Sequence, residues 1–339
     1  MKKIRFGVVG TNFISDWFLA GAVLDSRFVP VAVCSRDADR GRAFALRHSM
    51  PLVFTSIEEM ARCADIDAVY IASPNFMHAR QSILCMSHGK HVLCEKPLAS
   101  NAAEAHAMIE TSERYGVTLM EAMKPTLSPG FSALRTNIER IGAIRRYFAA
   151  YCQYSSRYGR LLAGELPNAF NPACSGGALM DIGVYTIYPM VVLLGKPLWV
   201  RASGTVLPSG TDGQGTVMFG YDGMEATVVY SKITDSILPS EVQGEEGTLS
   251  VDRINSIRSV SFTPRQNNTG GGTARHPAAE PILFSTDINE YCCEASEFIS
   301  LILGGHRQSA VNTHAASLTV MEITDEIRRQ LNIHFPSDH

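Results

Sequence analysis

Between residues 4 and 120, short runs of β-branched and other apolar residues alternate with longer segments of helical period, the pattern of parallel strands joined by crossover helices. Strands are predicted at 4–9, 29–34, 52–54, 67–72, 91–95 and 117–120, and helices at 37–48, 56–63, 76–88 and 100–115. In the first connection Phe13, Ile14, Trp17, Phe18, Gly21 and Leu24 recur at three- and four-residue spacing, which predicts one buried helix face. This half reads as a doubly wound α/β sheet.

The pattern changes after Ala122, where KPTLSPG interrupts the alternation with two prolines. Beyond it the periodicity predicts a helix at 130–140, a strand at 143–154, an irregular loop at 155–173 and a helix at 176–194. Strand-like runs at 198–207, 214–221, 224–232, 248–252 and 257–263 then follow without intervening helices, which predicts a large, mostly antiparallel open sheet in an α+β domain. The Gly-, Asn- and Pro-rich segment 264–280 reads as a surface loop, and helices at about 286–304 and 312–330 close the chain. The expected domains are 1–122 and 123–339, with the closing helices free to pack back on the first.

A length of 339 residues agrees with two domains at roughly 150 residues each. Thirty Lys and Arg against thirty-three Asp and Glu give a net charge of -3, which leaves no basic excess for a phosphate backbone and argues against a nucleic-acid partner. Cysteines 34, 63, 85, 94, 152, 174, 292 and 293 form no C-x-x-C, so they read as reduced thiols of a cytoplasmic protein with no zinc site. The opening MKKIRFGVVGTNFI is broken by glycines and lacks a cleavage pattern, and no uninterrupted apolar stretch reaches the roughly 20 residues of a membrane span. No membrane partner is expected.

The first strand runs into Gly10, Thr11, Asn12, Phe13, Ile14 and Ser15, where a dinucleotide-binding fold places G-x-G-x-x-G/A. Only Gly10 matches. Asn12 is a tolerable replacement because Asn enters left-handed backbone more readily than most residues, and Ser15 is small enough for close helix packing. The second strand ends in Ser35 and Arg36 where an NAD enzyme usually offers a carboxylate to the ribose; with Arg40 a turn later, these groups suit a 2'-phosphate and predict NADP, with NAD as the alternative.

The fifth strand leads into Glu95-Lys96-Pro97, placing a lysine at the carboxyl end of a central strand, where open α/β sheets bind ligands. The fourth exits at Ser73, Pro74 and Asn75, with His78 one turn on; Asn75 and His78 either line the cofactor pocket or serve as a helix cap and a satisfied core histidine. In the second half, GGALMDIGVY at 176–185 puts Asp181 and Tyr185 four residues apart on one helix face. A carboxylate in so apolar a stretch needs a partner, so Asp181 either braces the fold or meets a substrate.

These residues resemble the glucose-fructose oxidoreductase, inositol dehydrogenase and rhizopine catabolism (Gfo/Idh/MocA) family of nicotinamide enzymes. The resemblance rests on GVVGTNFIS, GKHVLCEKPLA at 89–99, EAM at 121–123, GGALMDIGVY at 176–185 and SEVQGEEGTL at 240–249. It implies a Rossmann domain, a C-terminal substrate domain whose sheet mediates a homodimer or homotetramer, a catalytic Lys96 and a substrate-positioning Asp181. Tyr185, where inositol dehydrogenases have histidine, looks like the branch of dimeric dihydrodiol dehydrogenase and NADP-dependent xylose dehydrogenase. The expected reaction is hydride transfer between nicotinamide and a carbinol carbon of an aldose or cyclic diol, with Lys96, Tyr185 and Asp181 catalytic. An NAD-dependent inositol or polyol dehydrogenase and a non-catalytic nucleotide-binding regulator are the alternatives. KPTLSPG lacks the Arg-x-x-Pro run of relatives, and Tyr154, Arg157, Tyr158 and Asn168 in the 154–172 loop are the expected sources of substrate selection.

Overall fold

The computed structural model describes residues 2–266 and 277–338, so most of the surface loop expected at 264–280 lies outside the described residues. The chain forms two compact units. One runs through Leu127 and takes up Ile288–Glu322; the other comprises Ser128–Asp287 and Ile323–Pro336.

The first unit is built on six parallel strands, β1 (Ile4–Val9), β2 (Phe28–Cys34), β3 (Leu52–Phe54), β4 (Ala68–Ile71), β5 (His91–Glu95) and β6 (Leu119–Ala122), in the order β3-β2-β1-β4-β5-β6. Helices α1 (Phe13–Ala22), α2 (Ala38–Arg47), α3 (Ile57–Arg62), α4 (His78–Ser87) and α5 (Ala102–Tyr115) make the crossovers. The order reverses between β1 and β4, which opens a crevice at the carboxyl ends of these strands. Pro30, which has no N–H to donate, sits in β2 ahead of Ala32–Cys34, the only stretch that pairs with β3.

The buried face of α1 differs from expectation. Ser15, Phe18, Leu19, Gly21 and Ala22 face inward, whereas Phe13, Trp17 and Leu24 are 50%, 55% and 64% exposed. The six spaced residues cover two neighbouring stripes about 100° apart, and the sheet takes only one. Phe18 stacks on Tyr70 at 3.7 Å. The long closing helix α9 (Glu290–Gly304) brings Phe298 and Ile299 into this same core. Its first turn lies so close to α1 that a methyl group at Gly21 would sit 2.6 Å from Tyr291 Cβ.

The second unit carries α6 (Pro129–Thr136), β7 (Ile144–Cys152), α7 (Tyr158–Leu162), α8 (Val184–Leu194), β8 (Trp199–Val206), β9 (Asp212–Tyr221), β10 (Met224–Ser231), β11 (Ser240–Gly244), β12 (Gly247–Val251), β13 (Val260–Pro264) and β14 (Glu280–Ile282). Its eight strands run β14-β13-β12-β11-β7-β10-β9-β8; every pairing is antiparallel except β10 (Met224–Ser231) with β7. Strands β11 (Ser240–Gly244) and β14 were not predicted: the first is five residues, SEVQG, leading straight into the Glu245-Glu246 turn, and the second has only three residues. The predicted 130–140 helix stops at Thr136 and finishes as a 3₁₀ turn, and the 155–173 loop contains α7. The helical run Pro172–Leu194, with mean hydropathy 1.6, is long and apolar enough to cross a membrane, but 72% of its most apolar window is buried inside the protein as a core element. Helix α10 (His314–Gln330) begins in the first unit and ends in the second.

Candidate active site

At the end of β1 the chain turns at Gly10 with φ +103°, and a Cβ there would lie 2.7 Å from the Ala72 carbonyl oxygen. Only glycine lets the backbone pass this close to the β4 exit. Asn12 is not left-handed: at φ −90° and ψ 174° it is the N-cap of α1, accepting from the Ile14 N–H at 2.9 Å and donating through Nδ2 to the Ala72 carbonyl at 3.1 Å. Asn12 thus ties the turn together by side-chain bonds that glycine lacks. Thr11, Asn12 and Phe13 are partly or fully exposed at the N-terminus of the ten-residue α1. Their position fits a dinucleotide pyrophosphate, because the amides at a helix start favour negative charge and the Gly10 cradle admits close approach. Ser15 is fully buried against the sheet.

The β2 exit presents Ser35, half-buried, with Arg36 and Arg40 exposed. Neither arginine makes an ion pair among the described residues. The nearby Asp37 carboxylate is occupied as the N-cap of α2, accepting from the Asp39 and Arg40 N–H groups at 3.0 Å. Ser35 Oγ accepts from the Asp37 N–H at 3.3 Å, which holds the turn.

Ser73, Pro74 and Asn75 lie half-buried at the β4 exit, and Ser73 Oγ donates to Gln81 at 2.7 Å. His78 sits beneath this rim, 1% exposed, with Nε2 2.9 Å from the Ser73 carbonyl and Nδ1 2.8 Å from that of Pro97. Glu95, at the end of β5, is buried; its Oε1 accepts from the Tyr70 hydroxyl at 2.5 Å and its Oε2 from the Lys96 N–H at 3.2 Å. Burial pushes the Glu95 pKa up, against the pull of Lys96. Lys96 itself is half-buried at the rim. Behind it Glu121 accepts from the Leu98 N–H at 3.0 Å, and burial pushes its pKa to about 7.

The second unit assembles a separate set of groups. GGALMDIG opens on Gly176 and Gly177 and enters a π-turn, Leu179–Gly183, before α8. Such turns recur at functional sites because the widened loop redirects a side chain. Gly177 has φ +125°, and a Cβ there would strike the Asp212 carboxylate at 2.3 Å. Asp212 accepts from the Leu179 N–H at 2.7 Å and so anchors the start of the turn; burial raises its pKa to about 6. The turn presents Asp181 with its side chain 37% exposed and ion-paired with Lys232. Lys232 is 6% exposed at the side chain and also lies over the Phe170 ring, 5.5 Å from its centroid. Tyr185 is half-buried and meets Tyr151 edge-on at 5.7 Å. Tyr154 packs against Tyr158 at 5.7 Å and Tyr158 against Phe170 at 5.9 Å, while Arg157 and Asn168 are exposed. Sequence reasoning missed Lys232, Tyr151 and Phe170. The need of Asp181 for a partner was legible, but nothing in the spacing chose a lysine 51 residues away.

The nucleotide unit defines a class, the oxidoreductase family with an NAD-binding Rossmann fold, whose model matches residues 4–123. The chain belongs to the GFO/IDH/MocA family, for the family's C-terminal domain matches residues 133–250 as well. It is 46% identical over 335 residues to scyllo-inositol 2-dehydrogenase (NADP(+)) IolU of Bacillus subtilis strain 168, with 99% of each chain covered. It is 31% identical over 345 residues to trans-1,2-dihydrobenzene-1,2-diol dehydrogenase of Danio rerio, again with 99% of each covered. Levoglucosan dehydrogenase in complex with NADH and levoglucosan shares the fold, with a TM-score of 0.85 at 21% identity over 98% of each chain. The family read from GKHVLCEKP and GGALMDIGVY is thereby established, and the chain is an oxidoreductase of sugar and polyol type rather than a regulator that merely shares the fold.

Proposed function

We propose that the protein is an NADP-dependent dehydrogenase that exchanges a hydride with a carbinol carbon of a cyclic polyol or sugar. The observation that carries this reading is the end-to-end 46% identity with IolU, whose name joins an inositol substrate to NADP. The sequence had paired inositol with NAD and sugars or diols with NADP; the name of this relative separates cofactor from substrate, so Arg36 no longer argues against an inositol. Ser35, Arg36 and Arg40 supply a hydroxyl and two exposed guanidinium groups for a 2'-phosphate. The nicotinamide, when bound, supplies the hydride acceptor.

The protein's task is to orient the alcohol and remove its hydroxyl proton. Tyr185 is the proposed acid/base, a role typically worth ~10²–10⁴-fold. A phenol has an ordinary pKa near 10, and Lys96 is the second proposed catalytic group, its ammonium favouring a developing alkoxide. Asp181, steadied by Lys232, accepts a hydrogen bond from an adjacent substrate hydroxyl. Titration with NADPH and NADH by nicotinamide fluorescence, followed by turnover assays on scyllo-inositol, myo-inositol, aldoses, cyclic diols and acyclic polyols, tests the reading. Tighter NADPH binding with fastest turnover on an inositol is expected. Preference for NADH, or turnover confined to acyclic substrates, would overturn it.

A further inference from the structure

His78 touches two carbonyls with one ring. Its Nδ1 is 2.8 Å from the Pro97 oxygen and its Nε2 is 2.9 Å from the Ser73 oxygen, so it spans the turn that carries Lys96 and the exit of β4. A neutral imidazole has a single N–H and can satisfy only one of them. Burial lowers the pKa of this ring, and the Lys96 charge pushes the same way against the pull of the two carbonyls, so the ring stays neutral at neutral pH. The two carbonyls are not equivalent. Pro97 is buried, so water cannot replace a lost donor there, whereas Ser73 is half-buried at the rim. The proton therefore belongs on Nδ1.

We propose that His78 is a positioning residue for Lys96, holding the Lys96-Pro97 turn through an Nδ1–H bond to the Pro97 carbonyl. The inference rests on the reading of Lys96 as a catalytic group. It assigns His78 a mechanical role without substrate contact: it fixes the backbone from which the lysine projects, and small displacements of a catalytic group have large effects on rate.

Two variants separate the two ends of the ring, because an Asn amide nitrogen falls near the place of Nδ1 and a Gln amide nitrogen near that of Nε2. With the protein saturated in NADPH or NADP, His78→Gln is expected to lower kcat about tenfold while KM for the polyol moves less than about threefold, and His78→Asn to recover most of the turnover. Equal losses in both variants, or no loss in either, would overturn the proposal. Should either variant fail to fold, nitrogen NMR of histidine-labelled wild-type protein decides, with His78 assigned through its own Cβ. A protonated Nδ1 with a bare Nε2 supports the proposal, and the reverse tautomer overturns it. Lys96→Met serves as the control on the underlying reading: full turnover in that variant would remove Lys96 from the chemistry while leaving the His78 tautomer as it was.

Discussion

The two units secure their chemical groups by opposite means. In the nucleotide unit each candidate group sits at or just after a strand exit: Gly10 and Asn12 follow β1, Ser35 and Arg36 follow β2, Ser73 follows β4 and Lys96 follows β5. A parallel sheet delivers such ends to one rim, so short sequence motifs suffice to place them. In the second unit Asp181 stands on a π-turn and depends on a lysine 51 residues away, at the end of a strand. Local chain direction places the first set, and long-range pairing places the second.

The largest expected effect sets the two lysines against each other. Lys96→Met should lower kcat by roughly 10²–10⁴-fold with NADPH affinity largely kept, whereas Lys232→Met should cost about tenfold, since it acts only through Asp181. The double variant Lys232→Met/Asp181→Asn should be little worse than the poorer single variant in steady-state kinetics, because the two groups work as a unit. Additive losses would separate them.

Thermal melting across pH carries the contrast to stability. Glu121 is raised from 4.5 to about 7, so it takes up a proton on folding. Its favourable contribution is complete below its unfolded value and is lost as pH rises through about 7. Glu121→Gln keeps the oxygen that accepts from Leu98 and should therefore leave Tm unchanged near pH 4 yet raise it at pH 8, corresponding to a stability gain on the order of 3 kcal/mol at most. Asp212 in the other unit, raised to about 6, follows the same sign. Asp212→Asn should nonetheless lower Tm at every pH, since its amide turns N–H groups toward backbone donors at the start of the π-turn. A stabilised Asp212→Asn protein would show that desolvation outweighs that anchoring.

The smallest effect concerns the cofactor. Ser35→Asp should weaken NADPH about tenfold while leaving NADH nearly unchanged, as judged by fluorescence titration, because a new carboxylate repels only a 2'-phosphate. Equal weakening of both would mean that Ser35 acts on the fold of the turn.

Along the first 122 residues most of the architecture was readable, because each parallel strand is a short apolar run bounded by turn residues and each crossover is a helix of recognisable period. The wider apolar arc on α1 misled the reading of its buried face, since periodicity counts apolar residues and cannot say which of two adjacent stripes the sheet selects. Asn12 was legible as a departure from the glycine pattern, but its role as a cap bonded to Ala72 depended on where β4 ends. In the second half GGALMDIGVY marked a functional segment, yet its helical spacing concealed a π-turn, and the five-residue SEVQG of β11 was too short and polar to stand out.

By itself the sequence determined the alternation that makes a doubly wound sheet, the family, and the lysine and arginine that stand at strand exits. These follow from covalent order and local period. Tertiary structure alone decided that Lys232 would face Asp181, that His78 would lie between two carbonyls, and that α9 would complete the first unit's core. Each is a contact between distant parts of the chain, set by the packing of whole elements, and no local spacing encodes it.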